Sequence, residues 1–159
     1  MGNLKVIGLG NPFRGDDAVG TLVARQLHTY ETYAISVVEC GLAGLNLLHE
    51  IEGVETAIII DAVSSQSEEG TIHRFTIPQD LKQIHTLTWS TSTASTHAFG
   101  LGEALTLAET LGVLPPHLVI YGIEIGNVEP GAPISPSVIQ GIHTVVNRIT
   151  TEEFPLAHA

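Results

Sequence analysis

Three acids and one histidine stand where they could act together. Asp16 and Asp17 are adjacent in "VIGLGNPFRGDDAVG", residues 6–20; Asp61 lies in the apolar run "TAIIIDAV"; His97 follows the Ser/Thr-rich stretch "HTLTWSTSTAST". A glycine-rich turn between a strand and a helix can hold phosphate on the free N–H groups of the helix N-terminus, and Glu39 could then serve as a ribose acid. Two features oppose that use. The fingerprint G-x-G-x-x-G needs glycine where this chain has Phe13, and two carboxylates sit where phosphate charge would have to go. Capping explains one aspartate of the pair, because a carboxylate at a helix N-terminus accepts from free N–H groups and favours the helix dipole. Only one residue can hold the cap position, so the second is left for other chemistry.

Periodicity outlines the elements that must position these groups. "LKVIGLG" predicts a strand, and Val19, Leu22, Val23 and Leu27 follow at helical spacing. "AISVVEC" predicts a second strand, then a helix in "LAGLNLLHEIEG", with Leu42, Leu45, Leu48 and Ile51 on one face and Gly53 as its stop. The unbroken Ile58, Ile59, Ile60 run suits a central parallel strand covered on both faces. "TIHRFTI" alternates as an antiparallel edge strand does, and Pro78 ends it. "HTLTWSTSTAST" predicts a loop leading to a helix that starts near His97. "HLVIYGIEI" predicts a strand, "GNVEPGAPISPS" a loop, and "PSVIQGIHTVVNRI" a last helix capped by Ser135 or Ser137. Residues 1–150 form a single α/β domain in this outline and 151–159 a loosely ordered tail.

Strands alternating with helices predict a three-layer sandwich: a mostly parallel sheet of about five strands, an antiparallel edge strand, and helices on both faces. In such a sheet the functional crevice lies at the carboxyl ends of the strands. Asp17, Asp61 and His97 would all reach that crevice. Each alone is commonly a cap, turn or core residue. Together they form a set of two oxygen donors and one nitrogen, suited to a divalent ion with positions left open for water or substrate.

Composition narrows the partners. Six Lys and Arg against seventeen Asp and Glu give a net charge of −11, which repels nucleic acid and anionic membranes. One cysteine, Cys40, makes no internal disulfide, and neither a signal-peptide pattern nor an apolar run of membrane-spanning length is present in the sequence. These features predict a cytoplasmic protein without membrane insertion. Cys40 has no motif around it and suits a buried small hydrophobe. No serine stands in a G-x-S-x-G context, which leaves a nucleophilic triad unsupported.

Five pieces, "GLGNPFRGDDAVG", "GLAGLNLL", "IIIDAV", "STHAFGLGEAL" and "GIEIGNVEPGAPISPSV", resemble the hydrogenase maturation proteases in order and spacing across most of the chain. The resemblance implies an endopeptidase that removes a C-terminal extension from a NiFe hydrogenase large-subunit precursor after nickel insertion. It implies a metal site at Asp17, Asp61 and His97, with Asp16 as a cap or support. It also implies that nickel arrives in the substrate as the recognition element, and that zinc or cadmium could occupy the site in vitro. The bound ion would polarise the scissile carbonyl or activate water; alternatively the carboxylates would act as acid and base, as in aspartic proteases. Gly41 and Gly44 fall in the loop after the second strand, where the family often has a hydroxyl and this chain offers Leu42 and Ala43. Glu124 ends a strand at the crevice in a supporting part, in "EIG" where the family commonly has "E-P".

Other assignments compete. "GLGNP" also opens peptidyl-tRNA hydrolases, but their "T-R-H-N" element has no counterpart in "FRGDDAVG", and the acidic charge suits tRNA poorly. A non-enzymatic metal- or nucleotide-binding module, or a docking module for hydrogenase assembly, is distinguished from a protease by whether precursor is cut.

Overall fold

Six strands form one mostly parallel sheet in the computed structural model, which describes residues 3–89, 100–126 and 128–157. The strands are β1 (Leu4–Leu9), β2 (Ile35–Gly41), β3 (Thr56–Ser64), β4 (Ile72–Ile77), β5 (Thr88–Trp89) and β6 (His117–Glu124). The helices are α1 (Val19–Leu27), α2 (Gly44–Ile51), α3 (Leu81–Thr86), α4 (Leu101–Leu111), α5 (Pro136–Arg148) and α6 (Phe154–Ala157). The order is β2-β1-β3-β6-β4, with the first four parallel and β4 antiparallel to β6 at one edge. β1 pairs with β3 as far as Gly8 opposite Ile60, and two-residue β5 then pairs antiparallel with Val63 and Ser64.

Alternation along the strands builds two cores. Val6, Ile58, Ile60 and Tyr121 face α1 and α5; Ile7, Ile59, Val63 and Ile120 face α2, α3 and α4. Ile58, Ile59 and Ile60 are fully buried, each stabilising the fold by roughly 1.5–3 kcal/mol. Because α1 and α2 lie on opposite faces, the connections from β1 and β2 diverge, and a crevice opens at the carboxyl ends of β2, β1 and β3.

The glycines of the opening motif serve close packing. A Cβ on Gly20 would run into the carbonyl oxygens of Leu9 and Ile60, so the first turn of α1 lies directly on β1 and β3. Gly10 has φ +132°, and a Cβ there would strike the Asp17 carbonyl. These contacts fix the turn against the sheet.

Three segments differ from the sequence outline. On α2, Leu47 and Ile51 carry the packing, while Leu45 is 70% and the preceding Leu42 55% exposed. Leu42 lies before the helix begins, so its spacing does not follow the helical phase. The start of the expected Ser/Thr-rich loop belongs to regular elements: His85 and Thr86 end α3, and Thr88 and Trp89 form β5. The expected loose tail is packed as far as described, since Phe154 and Ala157 join the core and Glu153 accepts from Arg74 and the Tyr121 hydroxyl.

Candidate functional site

The two adjacent aspartates turn to different tasks. They sit in a single 3-10 turn, Gly15–Ala18, held by backbone bonds from Arg14 N–H to Asn11 O, Asp17 N–H to Arg14 O, and Asn11 N–H to Asp17 O. Asp16 is fully buried and does not cap its own helix. Its carboxylate accepts from Ser135 N–H (2.9 Å), the Ser135 hydroxyl (2.9 Å) and Gly126 N–H (2.8 Å), tying the turn to the loop after β6 and to the start of α5. Ser135 is the N-cap residue of α5, but its hydroxyl is spent on Asp16.

Asp17 points to the crevice, only 5% exposed. It lines a cavity of about 280 Å³ with Gly10, Phe13, Gly41 and Leu42, and a second of about 340 Å³ with Ser64, Trp89, Ile125 and Val128. Burial raises its pKa above the ordinary carboxylate value; Arg14, whose Nε lies 4.0 Å from Oδ2, pulls it back, and Asp16 adds a smaller upward push. A carboxylate held this way is a stronger base than one in water.

Asp61 lies in β3, fully buried, on the face that also carries Ile59 and Val63. Its Oδ1 accepts from Ala62 N–H at 2.8 Å. The 3-10 turn that bears Asp17 touches β3, the strand that carries Asp61, and Gly20 packs against the Ile60 carbonyl. Asp61 lines neither cavity. His97 lies outside the described residues, between Trp89, which pairs with Val63, and Gly100, which precedes α4. Among the described residues no group of three His, Cys, Asp or Glu side chains could hold a metal ion. Asp17 and Asp61 supply two oxygen donors of the type a divalent ion takes, and an imidazole would complete the set.

The remaining candidates separate. Gly41 (φ +72°) borders the first cavity, and its carbonyl accepts from Gly10 N–H; Gly44 (φ +53°) opens α2. Glu124 is buried but committed to structure: it accepts from Ser65 N–H (2.7 Å) and the Ser65 hydroxyl (2.6 Å), and His73 Nε2 lies 3.1 Å away. Cys40 is half-buried, and burial with the nearby Glu50 charge pushes its thiol to about 11, well out of the nucleophilic range. Sequence reasoning missed Arg14, Phe13 and Trp89 as crevice residues. Arg14 and Phe13 stand inside the quoted motif, and Trp89 is the chain's single tryptophan; those were the available signals.

The comparisons with known proteins agree with this architecture. A family model described as "Hydrogenase maturation protease" matches residues 20–152. The hydrogenase expression/formation protein HupD of Bradyrhizobium diazoefficiens is 28% identical over 138 residues, covering 84% of this chain and 68% of that protein. The hydrogenase 2 maturation protease of Escherichia coli K12 is 26% identical over 148 residues, covering 91% and 86%. In fold, the chain is similar to the hydrogenase maturating endopeptidase HybD from Escherichia coli, with a TM-score of 0.77 at 24% identity over 92% of this chain and 89% of that one. It is also similar to the NiFe hydrogenase maturation protease HybD from Thermococcus kodakarensis, with a TM-score of 0.72 at 22% identity over 93% and 97%. With a family match over most of its length, the chain belongs to the hydrogenase maturation protease family.

Proposed function

We propose that this protein is an endopeptidase that removes the C-terminal extension of a NiFe hydrogenase large-subunit precursor once nickel has been inserted. The observation that carries the reading is the place of Asp17 at the junction of two cavities. A chain cut internally needs room on both sides of the scissile bond, and a peptide laid across Asp17 has it.

Nickel belongs to the substrate in this reading, and Asp17, Asp61 and His97 complete its coordination while the precursor is bound. The ion supplies Lewis acidity toward the scissile carbonyl or toward water. Where the carboxylates act instead as acid and base, Asp17, made more basic by burial, takes the proton of the attacking water; Asp16 holds the turn that carries it. The net charge of −11 suits a protein partner and a divalent ion better than a polyanion, and the reading takes the reaction to be cytoplasmic. Among the described residues no helix is long and apolar enough to cross a membrane.

The test is turnover. Nickel-loaded precursor mixed with this protein loses its extension, read as a mass shift, and nickel-free precursor stays whole. Binding without cleavage would instead make the protein a docking module, and cleavage regardless of nickel would remove the ion from recognition.

A further inference from the structure

We propose that Arg14 is a catalytic residue whose guanidinium binds the carbonyl oxygen of the bond being cut. The inference rests on the proteolytic reading and names the group that takes up the negative charge of the reaction. Among the described residues, only Arg14 and Asp17 line both cavities of the crevice. Whatever peptide spans the two must therefore cross this pair.

Among the described residues the Nε of Arg14 is not spent on structure. Its Nε is buried without a hydrogen-bond acceptor among the described residues, and the 4.0 Å to Asp17 Oδ2 exceeds hydrogen-bond reach. Native folds keep few buried polar groups in that condition, and those they keep call for a specific cause. The turn does not depend on the side chain, since backbone bonds from Arg14 N–H to Asn11 O, from Asp17 N–H to Arg14 O and from Gly131 N–H to Phe13 O hold it. At 39% side-chain exposure the guanidinium is held at its root while its head remains open to the crevice.

Where the carboxylates carry the acid–base chemistry and the ion serves recognition, such a cation has a defined task. When water adds to the carbonyl carbon and its proton passes to Asp17, the electron pair of the C=O bond moves onto oxygen. A crevice furnished only with Asp17 and Asp61 would repel that oxyanion. A guanidinium beside Asp17 stabilises it with charged donors already in position. On collapse the oxygen returns its electron pair to carbon, and the C–N pair leaves with nitrogen. That nitrogen takes the proton back from Asp17, giving a free amine and a new carboxyl terminus.

The test measures kcat and KM separately on nickel-loaded precursor for the parent, Arg14→Ala and Arg14→Lys, with thermal midpoints alongside. Arg14→Ala should lower kcat roughly 100- to 1000-fold, the usual loss for one oxyanion donor, and leave KM within about threefold. Arg14→Lys, a point charge without the fork, should fall between parent and Arg14→Ala. Added ethylguanidinium should restore Arg14→Ala in a saturable way, which a merely structural role would not allow. A folded Arg14→Ala with parent kcat, a loss confined to KM, or failure of rescue in the folded variant overturns the role. Should Arg14→Ala not fold, a fully active Arg14→Lys overturns it. A parent protein that leaves nickel-loaded precursor whole overturns the proteolytic reading and this inference with it.

Discussion

Asparagine at position 16 and asparagine at position 17 should have opposite consequences. Among the described residues the Asp16 carboxylate accepts from Gly126 N–H and the Ser135 hydroxyl on Oδ2 and from Ser135 N–H on Oδ1. An amide oriented to keep its oxygen at the Oδ2 position sets its NH2 against Ser135 N–H, donor facing donor. The orphaned backbone group costs about 1–3 kcal/mol, and the two remaining bonds weaken on losing their charge, so Asp16→Asn should destabilise by about 3 kcal/mol. For a chain of 159 residues that is a fall of roughly 6–12 °C in thermal midpoint. Below its transition the variant should still cut nickel-loaded precursor. Asp17→Asn should abolish cleavage and lower the midpoint not at all. The sign follows from burial, which raises the Asp17 pKa. Below the ordinary carboxylate range of about 4 both folded and unfolded chains are protonated there, and the site costs nothing. As pH rises through the raised folded value, the native state must ionise a desolvated group and loses stability that the unfolded chain keeps. Asp17→Asn therefore matches the parent in acid and equals or exceeds it at neutral pH. Circular dichroism melts between pH 4 and 8, with the cleavage assay beside them, decide the matter. An Asp16→Asn variant melting within about 2 °C of the parent, or an Asp17→Asn variant that processes precursor, would refute the division of labour.

Gly20→Ala should be among the most damaging small substitutions, because its methyl meets the backbone carbonyls of Leu9 and Ile60, which cannot turn away; a loss of about 3 kcal/mol or more is expected in denaturant unfolding. Phe13→Ser and Leu42→Ser remove apolar groups that are 78% and 55% exposed on the wall of the cavity beside Asp17. They should leave the thermal midpoint unchanged and raise KM for precursor, and an unaltered KM in the double variant would count against that cavity as a substrate subsite. Cys40→Ser should retain full cleavage activity, and iodoacetamide should label Cys40 slowly at neutral pH, since its thiol is pushed up to about 11.

What the sequence made legible was local. The Ile58–Ile60 run, the alternation of "TIHRFTI" and the glycine-bounded opening motif each report a periodicity or a turn that neighbouring residues set, and each became the element it predicted. Parallel strand order put Asp61 in the central strand, and there it is, in β3, buried and lining neither cavity. The role of Asp16 was not legible, because its partners lie 110 and 119 residues away in sequence. Leu42 and Leu45 kept helical spacing with Leu48 and Ile51, yet tertiary packing chose Leu47 and Ile51 for the core and left the first two exposed, Leu42 on the wall of the cavity beside Asp17. β5 was hidden because two residues carry no period; the vacant edge of β3 beyond β1 recruits them. Phe154 holds the end of the described chain through a contact with Tyr30, a pairing that spacing cannot report.

The adjacency of Asp16 and Asp17 is itself the device that aims the site. A 3-10 turn sends consecutive side chains in different directions, so one carboxylate can be sunk into the fold while its neighbour faces the crevice. Were Asp17 fixed by hydrogen bonds of its own, those bonds would occupy the oxygens its chemistry needs and lower its basicity. Anchoring through Asp16 avoids both effects, since the turn is fixed by a residue that never meets substrate. The same anchor joins the turn to the loop after β6, which also lines the second cavity through Ile125, Gly126 and Val128, so the separation between Asp17 and that cavity wall is set by bonds made on the far side of the turn.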